Sequence, residues 1–104
     1  MGDATRHATE TSEQYYPGEE HNQRGDALRH LLWQGELQQQ YGHIPASLAG
    51  WAHEKISSDS PAEEQMDTFN NELGRKLGSE TANKDELLAR ALEEIRANKA
   101  KTLK

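Results

Sequence analysis

Large apolar residues in this chain recur at steps of three and four and never in strict alternation, so only helices can gather them on one side. The stretch "GDALRHLLWQGELQQQYG", residues 25–42, carries the pattern most fully. Asp26, His30, Trp33, Leu37 and Tyr41 follow one another at steps of four, three, four and four, with Leu28 and Leu32 on a second apolar flank. That stripe should face inward, yet it begins with an acid and a histidine, and Arg29 stands beside them.

Caps divide the rest of the chain. Asn22 suits an N-cap and Gly42 a stop, which gives a first helix between them. Pro45 suits the first position of a second helix over 45–57, whose apolar residues are Leu48, Ala49, Trp51, Ala52 and Ile56. In "SSDSPAEEQ", Ser60 as cap, Pro61 behind it and Glu63 three residues on make a capping box for a third helix, which runs to Leu77 and stops at Gly78. Asn83 with Glu86 repeats the box and opens a fourth helix carrying Leu88, Ala91, Leu92 and Ile95. Residues 1–21 are polar and read as an extended or disordered arm with Tyr15 and Tyr16 as docking points; residues 99–104 read as a frayed basic tail. The expected fold is therefore all-α, a compact bundle of about four helices over 22–98 with a flexible polar N-terminal arm.

Composition narrows the function classes. A chain of 104 residues is one domain, and a mean hydropathy of −1.06 leaves room for only a modest core. The formal charge of −6 argues against nucleic-acid binding, which needs clustered cations, but not against a small phosphate-bearing substrate. With no cysteine there is neither disulfide nor thiolate site. No apolar run approaches the ~20 residues of a transmembrane segment. The start "MGDATRHATETSEQYY" lacks a signal-peptide core, so the expectation is synthesis in the cytoplasm followed by delivery to the bacterial envelope or packaging in a virion.

The third helix repeats the oddity of the first. Met66, Asn70, Leu73 and Leu77 form its inward stripe with Phe69 beside it, while Asp67, Asn71 and Gly74 share an adjoining face and Arg75 follows one step on. Gly74 inside a helix costs about 1 kcal/mol against alanine, a cost tolerated where another backbone or a ligand comes close. His53 and Glu54 border the apolar face of the second helix. His7, His21 and His43 lie in polar segments and are expected in solvent. An unpartnered buried amide or imidazole costs about 1–3 kcal/mol against a total stability of roughly 5–10 kcal/mol. The inward polar groups must therefore pair with one another or line a cleft, and so large a set favours the cleft.

Two chemistries suit the set. His30, His53, Glu54 and Asp67 could hold a divalent metal, although "HE" lacks the second histidine of H-E-x-x-H. The preferred reading has no cofactor: Asp26 orients His30 as base or nucleophile, Arg29 and Arg75 clamp an anionic group, and His53 is a second proton carrier. No G-x-S-x-G, Walker loop or cysteine offers another route.

"DALRHLLW", "AHE" and "MDTFNNELGR" together resemble a family of compact helical domains of bacterial polymorphic toxins and phage- or secretion-linked proteins. Its pattern runs D-A-x-R-H-x-x-W, A-H-E, M-D-x-x-N-N-x-x-G-R, and the resemblance covers residues 22–78. The family has been grouped by distant similarity with Wnt-like helical domains proposed to act on lipids or lipid-linked head groups. One departure is Thr68 and Phe69, where the family more often has a hydrophobic–histidine pair, so that histidine's role is absent or moved to His53. The resemblance implies a hydrolase or transferase acting on a phosphodiester or lipid-linked substrate. The candidate catalytic residues are His30, Asp26, His53, Glu54 and Asp67; the candidate substrate-binding residues are Arg29, Arg75, Asn70, Asn71 and Trp33. The alternative is a non-enzymatic phage structural or host-interaction module, with a virion, immunity or host protein as its partner.

Overall fold

The computed structural model describes residues 2–19, 23–57 and 60–102. Five helices account for most of them: α1 Gly2–Tyr15, α2 Arg24–Tyr41, α3 His43–Ser57, α4 Pro61–Glu80 and α5 Lys84–Arg96, and there is no strand among the described residues. The expected all-helical bundle is observed, with one more helix than foreseen.

The additional helix is α1, in the segment read as an arm. Ala4, Ala8, Thr11 and Ser12 are buried at steps of four, three and one, forming a stripe of small side chains that lies against α2. Small residues bury little apolar area each, so they carry a weak sequence signal, but they let two helix axes approach closely. Asn22, the expected cap of the next helix, lies outside the described residues; α2 is preceded by Gln23, which makes no side-chain cap.

α2 is the hub of the bundle, and its most extensive packing is with α4. Leu28, Leu31 and Leu32 meet Leu77 of α4 and Leu87, Ala91, Leu92 and Ile95 of α5 in the main core. On α5 the deepest leucine is Leu87, with the expected Leu88 only partly buried. Along the opening stripe, Asp26, His30 and Leu37 are buried, Trp33 is half-buried and Tyr41 is exposed.

Two of the expected boundaries are capped as foreseen. The Glu63 amide donates to Ser60 Oγ at 3.1 Å, and the Glu86 amide donates to Asn83 Oδ1 at 2.9 Å. Gly78 does not stop α4, which continues to Glu80. A Cβ built on Gly78 would lie 2.4 Å from the Gly35 carbonyl oxygen, and one on Gly74 would lie 2.7 Å from that of Leu31. These glycines are where α4 rests on the α2 backbone. Glycine signals both a helix stop and a close approach, and here the second applies.

α3 turns the opposite way from its apolar count. It buries Ala46, Gly50 and Glu54, while Ile44, Leu48, Trp51, Ala52 and Ile56 are exposed. The small residues again face the neighbours and the large ones face out. The tail also differs from expectation. The Asn70 side chain donates to the Lys101 carbonyl at 2.7 Å and accepts from the Lys101 amide at 2.9 Å, and Ala100 packs on the core. A contact across 31 residues has no local sequence signature.

Candidate active site

One helical turn separates Asp26 from His30 on α2, and one turn separates Asp67 from Asn71 on α4. Because α2 and α4 are seated on each other, these two pairs face across the contact. Glu54 of α3 approaches from the side.

His30 is the centre, its side chain only 4% exposed. Its Nδ1 donates to Asn71 Oδ1 at 2.9 Å and lies 4.0 Å from Glu54 Oε1. The Asn71 amide in turn donates to Glu54 Oε1 at 3.3 Å. A carboxylate oxygen can only accept from that amide nitrogen, so the amide oxygen is left for His30, and the Nδ1 proton is assigned by this pairing. On the far side of the ring, Nε2 lies 3.4 Å from Asp26 Oδ1 and 3.3 Å from Asp67 Oδ1. Arg29 donates to Asp26 from the rim. Three carboxylates from three helices thus surround one imidazole.

The electrostatics follow from burial against mutual charge. Burial pushes the Asp26 carboxyl up, but the hydrogen bonds and charges of His30 and Arg29 outweigh it and hold Asp26 well below the usual carboxylate range. Burial likewise disfavours the His30 cation, and Asp26 and Asp67 overcome it, so that the ring is more basic than free histidine. Asp67 is driven the other way. Burial raises it, His30 pulls it back, and the adjacent Glu54 and Asp26 carry it to about 7.

Two openings flank the cluster. A hollow of about 60 Å³, lined by Thr5, Ala8, Arg29, His30, Trp33 and His53, reaches the ring and has room for a few water molecules. A wider one of about 310 Å³ lies between α3 and α4, where Glu54, Asn71 and Arg75 share its wall with Trp51.

The structure brings together Asp26, Arg29, His30, Glu54, Asp67 and Asn71. His53 stands apart. Its ring centroid is 6.0 Å from that of His30 and 5.2 Å from that of Trp33, edge to face, and burial lowers its basicity. Arg75 donates to the buried Gln34 Oε1 and borders the wider opening, outside the carboxylate cluster. Asn70 serves the tail. Replacing it with alanine should cost about 1–3 kcal/mol, because it strips two partners from the Lys101 backbone. A lower melting temperature together with faster hydrogen exchange at the Lys101 amide would be the result.

Several contributors escaped the sequence. Gln34 is fully buried yet sits among other glutamines, and Thr5 and Ala8 come from the supposed arm. His7, expected in solvent, donates to the buried Glu36 at 3.0 Å, whereas His43 is exposed as expected and His21 lies outside the described residues. The signal for His7 was its helical spacing from Ala4, three residues before it, and Thr11, four after it.

Comparison with known proteins finds no match among curated proteins or solved structures. A family model described as "Domain of unknown function (DUF6973)" matches residues 1–101, which takes in α1 as well as every residue of the His30 cluster. On that near-complete match, the chain belongs to the DUF6973 family.

Proposed function

We propose that the chain is a hydrolase, toxin-like or virion-associated, that acts on a phosphodiester or lipid-linked substrate of the bacterial envelope at the His30 cluster. The observation that carries this reading is the gathering of Asp26, Glu54 and Asp67 around a single buried imidazole. Such an arrangement opposes folding, since each charge gives up hydration and like charges repel. A bundle needing only a core would do better with apolar side chains there, and groups pushed away from their ordinary protonation collect where protons are exchanged.

Within this reading the cluster activates a water molecule held in the small hollow, and Arg29 stands at its rim for an anionic group. Arg75 offers a second cation at the wider opening, beside an exposed apolar residue, Trp51, suited to a lipid portion. The test is turnover of phosphodiester and lipid-linked head-group substrates by the purified chain. Asp67→Asn removes a titratable group while keeping the shape, and turnover should fall at least tenfold with helicity unchanged. Unaltered turnover would remove Asp67 from the mechanism.

A second reading has its own observation. Ile44, Leu48 and Trp51 lie along one exposed face of α3, with Leu48 63% and Trp51 64% exposed. A non-enzymatic module that grips a virion or host protein would use such a face. Partner capture that survives loss of His30, but not charge substitution at Leu48 and Trp51, would favour it.

A further inference from the structure

We propose that Asp26, His30 and Asp67 bind one divalent transition-metal cation, with Asn71 and Glu54 orienting the histidine behind it. Ligand atoms of the three residues all lie within 4.8 Å of one another. The inference concerns the cluster on which the hydrolase reading rests and names what that cluster holds, but cation binding is measurable without turnover.

The first argument is the histidine's orientation. Asn71 is fixed by Glu54 and takes the Nδ1 proton, so Nε2 is the ring nitrogen that faces the two aspartates and that offers a lone pair to a cation displacing its proton. Metal-binding histidines are commonly arranged in this way, with the ring nitrogen away from the metal donating to an oxygen that sets the tautomer. Here that oxygen belongs to a residue on a different helix, itself held by a third.

The second argument is spacing. An imidazolium wedged between two carboxylates draws them to about 2.7–2.9 Å. Nε2 instead stands 3.4 Å from Asp26 Oδ1 and 3.3 Å from Asp67 Oδ1. Ligand atoms bound at about 2.0–2.2 Å to a common cation in tetrahedral or octahedral geometry are separated by about 2.8–3.6 Å. The two separations from Nε2 fall in that interval, and the two aspartate oxygens lie within 4.8 Å of each other. Asp67 Oδ1 is moreover buried and receives no hydrogen bond among the described residues.

The third is charge. Asp26 and Asp67, from two different helices, bring two carboxylates to the same ring nitrogen, and a divalent cation between them would offset their mutual repulsion. One nitrogen and two carboxylate ligands suit Mn²⁺ or Zn²⁺ better than Ca²⁺, which prefers six to eight oxygens. The small hollow against His30 and Arg29 has room for a few water molecules beside the cluster.

The experiment uses the full chain stripped with chelator and titrated with Mn²⁺, the free ion being read by electron paramagnetic resonance, and with Zn²⁺ by calorimetry. The expected result is saturation at one ion per chain. Asp26→Asn and Asp67→Asn should each weaken it at least tenfold while circular dichroism stays helical, and His43→Gln, at a distant exposed histidine, should leave it unchanged. Either an absence of saturable binding by the folded wild-type chain, or equal binding by both aspartate variants, overturns the proposal. Saturable binding that depends on both aspartates, in a chain with no turnover, upholds the cation site and sinks the hydrolase. Unchanged turnover in a stripped chain that shows no saturable binding does the reverse.

Discussion

Turnover by the His30→Gln variant is expected to fall about 10²–10⁴-fold, the range that a positioned proton-transfer group contributes. Glutamine retains an amide that can donate to Asn71 Oδ1, but it neither carries a proton between Asp26 and Asp67 nor presents an imidazole lone pair. The loss should lie in kcat, since His30 is buried behind the hollow and contributes little to holding the substrate. Helicity and a cooperative melt must be retained for the result to count. Wild-type rates from a folded His30→Gln protein would leave the cluster as a structural network only.

Gly78→Ala is expected to destabilise the bundle by about 2–3 kcal/mol, as overpacking does in close-packed interiors. For a domain of this size that lowers the melting temperature by roughly 8–24 °C. The sign makes the test sharp. Helix propensity alone favours alanine by about 1 kcal/mol, so a helix that merely passed over Gly78 would gain. The added Cβ instead meets the Gly35 carbonyl oxygen at 2.4 Å and the Gly35 Cα at 2.9 Å, both backbone atoms that move only if α2 and α4 separate. Those helices carry His30 and Asp67, so the same variant should lose activity along with stability. A raised melting temperature would mean that the crossing is looser than described.

The two variants probe one design from its two ends. Close seating of α4 on α2 is what brings Asp67 to the ring nitrogen that Asp26 already reaches from the same helix. A side chain forced into that contact widens the distances between the two helices, His30 to Asp67 and His30 to Asn71, whereas His30→Gln leaves the frame and removes the chemistry.

Much of the site was legible because the inward polar residues interrupt an otherwise apolar period. Asp26 and His30 on one helix and Asp67 on another violate the pattern at positions that periodicity turns toward the core. Glu54 followed from its border position. Asn70 and Asn71 are adjacent and equally buried, and sequence could not separate their roles: one clamps Lys101, the other orients His30. Adjacent helical residues point about 100° apart, so their partners are decided by which neighbours the helix has on each side.

The sequence by itself determined four of the five helices, their caps at Ser60 and Asn83, and the presence of polar groups on inward faces, since capping and periodicity are local and are written within a few residues. Only the tertiary structure decided that residues 2–15 are helical, that α3 buries its small residues and exposes Leu48, Trp51 and Ile56, and that Gly78 is a crossing point. The reason is common to all three. How closely two helices approach depends on the backbones and small side chains of both partners, and neither partner's sequence contains the other.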